Sequence, residues 1–270
     1  MKILLLGKNG QVGWELQRSL APLGELISLD RCSVDGLCGD LSDHEALRET
    51  VKRIKPDFIV NAAAYTAVDN AESDIDLADR INAQATKVLA EEAALLDAWL
   101  IHYSTDYVFS GQGFRPWLEC DPVAPVNHYG ASKLAGERAI NESGCKHLIF
   151  RTSWVYGARG SNFAKTMLRL AKERESLSVI DDQVGAPTGA DLIADITALA
   201  IQKVRLYPEL SGLYHLAAAG EVSWYGYAEY IFEFAVANGE KLAVTKINPI
   251  ETTAYPTPAR RPLNSRLNTQ

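Results

Sequence analysis

The chain has 270 residues, a formal net charge of −7, 47% hydrophobic and 23% charged residues. That is chain enough for one or two domains with a real core, and its composition excludes wholesale disorder. The acidic balance argues against a generic binder of nucleic acid or anionic membrane.

Short apolar runs alternate with amphipathic patterns from the start. Lys2–Leu6 reads as a buried strand, Gln11–Leu20 as a helix and Glu25–Leu29 as a second strand. Residues 43–54 read as a helix entered through Ser42 or Asp43 as N-cap, and 58–60 as a third strand ended by Asn61. A long Ala-rich helix over 78–96, a strand over 99–103, a helix over 129–141 and a strand over 148–151 follow. Continuous apolar strands alternating with helices predict a parallel sheet covered on both faces, a doubly wound α/β fold of the Rossmann type.

The texture changes after Thr152. Helical patterns over 163–174, 190–204 and 225–236 are separated by a polar loop over 181–188 and a short strand over 212–217. The last stretch, 249–270, carries Pro249, Pro256, Pro258 and Pro262 and is expected to be mostly irregular. The expected division is a dinucleotide-binding unit over 1–155 and a smaller, discontinuous α/β substrate-binding domain over 156–270. Within the latter, about 190–217 is expected to return to the core.

No apolar run is long enough for a membrane span or a signal segment, so a cytoplasmic protein is expected. Cys32, Cys38, Cys120 and Cys145 form no C-x-x-C pair and no zinc spacing, as free thiols in a reducing compartment would.

The first strand runs into Gly7, Lys8, Asn9, Gly10, Gln11, Val12 and Gly13, a G-x-x-G-x-x-G turn opening a helix. Glycines there let the backbone approach a pyrophosphate while the helix offers its N-terminal amides. Asp30 ends the second strand, where a carboxylate accepts from a ribose hydroxyl. Arg31 follows it, and with Lys8 it offers a 2′-phosphate a partner, so NADPH with NADH tolerated is the expectation. Asp40 and Leu41 are candidates to cover the adenine, and Ala62, Ala63 and Ala64 leave room for phosphates and ribose.

Tyr129 and Lys133 form Y-x-x-x-K on a predicted helix, so phenol and ammonium share a face. An ammonium beside a phenol lowers its pKa and lets it exchange a proton near neutral pH. Thr105, with Ser104, sits at the end of the fourth strand, where open parallel sheets place their ligands.

In this order the motifs resemble those of the extended short-chain dehydrogenase/reductases, and within them the dTDP-4-dehydrorhamnose reductases. The resemblance rests on Gly7 to Gly13, Asn61 to Ala64, His102 to Phe109 and the Tyr129/Lys133 pair. Further on it rests on Arg151 to Tyr156, Asn162 with Phe163, Asp182 to Thr188 and Arg261 with Pro262. It implies that Thr105, Tyr129 and Lys133 reduce the C4 ketone of dTDP-4-dehydro-L-rhamnose, giving dTDP-L-rhamnose for cell-surface polysaccharides such as O-antigen.

Nucleotide-sugar dehydratases of this superfamily follow the Thr with Asp-Glu. Here Asp106 is followed by Tyr107, which disfavours elimination. Asp106, Tyr107, Trp154 and Arg261 are the further candidates to hold the sugar and its diphosphate, and Asn82 matches a helix-bending asparagine of the superfamily. No metal site follows from spacing. The family's association with magnesium points only to Glu15 and Asp191. A homodimer is another implied property, and no nucleic-acid or membrane partner is. Such reductases run to about 300 residues, so a further C-terminal helix is expected past the Asn264 to Asn268 segment. The alternative readings are another nucleotide-sugar epimerase or reductase, or a dinucleotide-binding regulatory subunit without turnover.

Overall fold

The structure is a computed structural model and describes residues 1–32 and 35–270. Its centre is a six-stranded, wholly parallel sheet. The strands are β1 (Lys2–Leu6), β2 (Glu25–Leu29), β3 (Phe58–Asn61), β4 (Trp99–Thr105), β5 (Lys146–Thr152) and a later strand, Gly212–His215. From one edge the order is β2, β1, β3, β4, β5 and then Gly212–His215. The winding reverses between β1 and β3, so the loops after these two strands part and leave a crevice at the sheet's carboxyl edge.

Strand periodicity explains the layering. Successive side chains point to opposite faces. Ile3, Leu5, Val60, Ile101 and Phe150 pack under helices α1 (Gln11–Leu20) and Ala190–Leu206. Leu4, Leu6, Ile59, Leu100 and Ile149 pack on the other face. There they meet α2 (His44–Ile54), the Ala85–Leu95 helix and the His128–Ser143 helix. Asp43 caps α2, its side chain accepting from Ala46 N.

The helix expected over 78–96 is three segments: α3 (Ile75–Asp79), a π-turn over Arg80–Gln84 and α4 (Ala85–Leu95). Asn82 lies in the π-turn. Its side chain accepts from Tyr65 N at 2.9 Å and donates to Tyr65 O and Ser132 Oγ, both at 3.0 Å. These bonds tie the helix to a loop and to α5 (His128–Ser143), which accounts for the wide turn.

After β6 (Val155–Tyr156) the chain adds α6 (Phe163–Glu173), β7 (Ser176–Ile180), β8 (Val184–Gly185), β9 (Thr188–Gly189) and α7 (Ala190–Leu206). The central strand β10 (Gly212–His215), then β11 (Val222–Ser223), α8 (Trp224–Ala237) and β12 (Lys246–Ile250), complete the fold. Helices α6 and α8 share a separate apolar cluster with β7 and β12. The stretch 249–270 is mostly irregular, as expected, but Pro249 at its start lies in β12, which pairs in parallel with β7. That sheet has two strands, so β12 is an edge, where a missing N–H costs no ladder bond. No helix among the described residues is long and apolar enough to cross a membrane.

Candidate active site

Two cavities open at the carboxyl edge of the sheet. The first, about 690 Å³, is lined by the turn after β1, the end of β2, Ala62 to Ala64, Tyr129 and Lys133. Gly7 adopts φ +84°, and a Cβ there would sit 2.7 Å from Ala63 N. A Cβ on Gly13 would sit 2.0 Å from Gly7 O, so Gly13 serves the close packing of α1 on the turn and does not line the cavity. At Gly10 the nearest atom to such a Cβ is 3.4 Å away, and Gly10 lines the cavity, so only that space would be filled. The arrangement fits a dinucleotide: an open glycine cradle, the N-terminus of a ten-residue helix and an acidic strand end.

Asn9, Gly10, Gln11, Val12, Asp30, Arg31, Asp40 and Leu41 all line this cavity, and Lys8 does not. Asn9 Nδ2 donates to Asp30 Oδ2, and Asp30 Oδ1 accepts from Cys32 N at 2.9 Å. The carboxylate is thereby aimed. Asp40 Oδ1 is engaged by Ser42 N and Oγ, each at 2.8 Å. Gln11 reaches across to Asn162, whose Nδ2 donates to Gln11 Oε1 at 2.9 Å. Thr152, whose buried Oγ1 has no hydrogen-bond partner, also lines the cavity and was missed from sequence.

The second cavity, about 650 Å³, lies between the central sheet and the α6/α8 cluster. Tyr107, Phe163, Trp224 and Arg261 are among its lining residues. Arg261 Nη2 donates to Asp69 Oδ2 at 2.8 Å, while its buried Nη1 has no protein partner. Trp154 lines neither cavity. It sits at φ +49° and stacks on Trp224 with ring centroids 3.4 Å apart. Trp224, at the start of an aromatic-rich helix, itself presents the aromatic wall.

Tyr129 and Tyr107 join the two cavities, their rings edge to face at 5.7 Å. Asn127 caps α5 through Gly130 N at 2.8 Å, which starts the helix just before Tyr129. The Thr105 side chain stands beside the Tyr129 phenol. Burial pushes the phenol up to about 12, against the lowering effect of that neighbour. This corrects the expected depression by Lys133. The Lys133 ammonium is spent elsewhere, donating to Tyr103 O at 2.6 Å and meeting His102 Nε2 at 3.0 Å. Burial lowers Lys133 itself to about 8. Asp106, buried beside Thr105, is pushed up to about 7 by burial, and its Oδ2 has no partner. The site thus holds a phenol that keeps its proton, a hydroxyl beside it and a cation on the same helix face. That set suits protonation of a developing alkoxide.

A family model described as "RmlD substrate binding domain" matches residues 1–270. Over 270 residues the chain is 62% identical to the dTDP-4-dehydrorhamnose reductase of Shigella flexneri, covering 100% of this chain and 90% of that protein. The chain belongs to the dTDP-4-dehydrorhamnose reductase family. Among solved structures of this family, the Bacillus anthracis enzyme in complex with NADP matches with a TM-score of 0.88 at 38% identity. That match covers 100% of this chain and 92% of the other. The Thermus thermophilus UDP-glucose 4-epimerase complex with NAD, 21% identical with a TM-score of 0.78 over 99% of this chain and 90% of that one, shares the fold.

The magnesium that the family suggests finds no donor set here. Glu15 pairs with Arg18 at 3.6 Å, and Asp191 Oδ1 accepts from Leu192 N at 2.9 Å. Among the described residues no three His, Cys, Asp or Glu side chains gather in a metal-holding group.

Proposed function

We propose that this chain reduces the C4 ketone of dTDP-4-dehydro-L-rhamnose with NADPH, NADH being accepted as well, and releases dTDP-L-rhamnose. The observation that carries this reading is the Tyr129–Thr105 pair, set at the junction of a dinucleotide-shaped cavity and a second cavity bearing a half-paired arginine. Family membership supports it, as does the NADP bound by the Bacillus anthracis relative.

In this reading residues 1–155 hold the dinucleotide and 156–270 build most of the sugar-nucleotide site, with about 190–217 belonging to the core. Gly7, Asn9 to Val12 and Ala62 to Ala64 cradle the dinucleotide, Asp30 and Arg31 face its adenosine ribose, and Asp40 with Leu41 its adenine. The bound dinucleotide supplies the hydride to C4. Tyr129 gives its phenolic proton to the alkoxide oxygen as the C–H bond forms, so ketone, hydride and proton balance to one alcohol. Thr105 orients the ketone oxygen and, as the polar neighbour that lowers the phenol's pKa, favours the phenolate left behind. Lys133, which lines the dinucleotide cavity, reaches the nicotinamide ribose. Arg261 pairs with the diphosphate, and Tyr107 and Trp224 border the sugar.

The test follows the loss of reduced-nicotinamide absorbance on adding the dTDP-keto sugar, with one NADPH consumed per sugar. Tyr129→Phe should lower kcat by about 100-fold or more and leave NADPH affinity unchanged. No oxidation by the native chain, or full activity in the variant, overturns the assignment.

A further inference from the structure

Lys133 is almost completely buried, and its Nζ has two protein neighbours: Tyr103 O at 2.6 Å and His102 Nε2 at 3.0 Å. His102 on β4 stands opposite Asn61 on β3 in the sheet register, both buried. Asn61 Nδ2 lies 3.2 Å from His102 Nδ1, and Asn61 Oδ1 accepts from Ala63 N at 3.3 Å.

Donors and acceptors along this row do not balance for a charged lysine. Ala63 N–H is a donor, so the Asn61 atom facing it is the carbonyl oxygen, and the amide NH₂ faces His102. A neutral imidazole has one donor and one acceptor nitrogen. Facing an NH₂, Nδ1 is the acceptor, and Nε2 therefore carries the hydrogen. That N–H points at Lys133 Nζ. An ammonium has three hydrogens and no lone pair to receive it, whereas an amine has one.

We propose that Asn61 and His102 are positioning residues that form a tautomer lock on Lys133: the orientation of the Asn61 amide fixes the hydrogen of His102 on Nε2 and so favours the amine form of the lysine. For Lys133 to take up a proton, His102 shifts its hydrogen to Nδ1, and Asn61 turns its oxygen to receive it and gives up Ala63 N. The charge on the catalytic lysine is thereby coupled to β3 and to Ala63, a residue lining the dinucleotide cavity.

The surroundings leave the lock in control. Facing Lys133 from its own helix are Glu137 and Tyr129. Glu137 is already paired with Arg151 of β5 at 2.6 Å and accepts from Ser104 Oγ. Near the end of β4 stand Asp106, engaged with Thr105 at 3.2 Å, and the phenols of Tyr103 and Tyr107, both raised by burial and so neutral. Burial and the Lys133 charge hold His102 well below its ordinary range, so the imidazole stays neutral and only its tautomer changes.

The inference uses the proposed reduction only for its kinetic readout. The primary experiment is spectroscopic: two-bond ¹H–¹⁵N correlations on [¹⁵N]histidine-labelled protein, with His102 assigned by the loss of its signals in His102→Gln. The expected result is the Nε2–H tautomer above the titration of Lys133, converting to Nδ1–H as pH falls, with no imidazolium. Asn61→Ala removes the lock, so His102 should keep the Nδ1–H form to a higher pH than in the native protein. The alkaline limb of kcat should then move up by about half a pH unit or more as Lys133 gains an acceptor. An Nδ1–H tautomer at every pH in the native protein overturns the proposal. So does an Asn61→Ala variant whose kcat falls evenly at all pH values with its limb unmoved. Should Asn61→Ala fail to fold, the native titration still decides. Absence of any turnover would sink the proposed reaction while leaving the tautomer measurement standing.

Discussion

Asp106→Asn tests whether the site is built at the expense of stability. The Asp106 carboxyl is raised by burial from 3.8 to about 7, against smaller lowering effects from the neighbouring Ser265 and Thr105 side chains. Folding therefore favours the protonated acid, and between these two values the native state binds the extra proton. Its contribution to stability is full below about 3.8, falls as pH rises through the window and is gone above about 7. At roughly 1.4 kcal/mol per tenfold change in proton affinity, the native chain should lose about 2–3 kcal/mol from this group between about pH 5 and about pH 8. The asparagine variant has no such loss.

Urea unfolding of both proteins across that range gives the measurement. The stability of the variant relative to the native chain should climb by about 2–3 kcal/mol towards alkaline pH. Any packing difference between amide and acid enters as a constant offset, so the slope isolates the charge. Two parallel curves would mean that Asp106 titrates in its ordinary range, and the case for a neutral carboxylic acid beside Thr105 would fail.

Lys133 carries the opposite sign. Burial lowers it from 10.5 to about 8, so stability is lowest below about 8 and recovers as pH rises towards 10.5. Lys133→Met should stabilise the fold at neutral pH by about 2 kcal/mol after allowing for the lost bond to Tyr103 O, while abolishing turnover. Equal urea midpoints at neutral pH would contradict it. Arg261→Ala should raise KM for the nucleotide sugar by about 10-fold or more with NADPH affinity unchanged, and Arg261→Lys should restore only part of it. An unchanged KM would remove Arg261 from the diphosphate site.

The readable parts of this molecule are the local ones. The glycine turn and Y-x-x-x-K are each set by one turn and one helix face, and β1, α1 and β2 end at the residues their hydrophobic periods predict. Strand β7 was not among the expected elements although SLSVI alternates buried and exposed positions, and β12 was masked by Pro249 inside it. The second cavity is the illegible part. It draws on Asp69, Phe163, Trp224, Thr252 and Arg261, residues up to nearly two hundred positions apart, brought together only when β7 and β12 pair. Trp154 was singled out because it follows a central strand. The ring that faces the cavity belongs to Trp224, seventy residues later, and Trp154 is its backing. His102 reads as a satisfied core histidine, and it is satisfied, but by Asn61 and the catalytic lysine.

Four buried side-chain atoms among the described residues lack any hydrogen-bond partner. Three of them, Thr152 Oγ1, Asp106 Oδ2 and Arg261 Nη1, belong to or adjoin the two cavities. Each such group costs about 1–3 kcal/mol when left unpaired. The same few ångströms hold the lysine and carboxyl whose charged forms burial penalises most. A core optimised for stability alone would exchange these for apolar contacts, as the central sheet does along Ile3 to Leu6. Their concentration at the joint between a glycine cradle and an arginine-bearing cleft is what an active site requires: donors and charges already oriented and already stripped of water, so that little reorganisation is left for the moment of proton transfer.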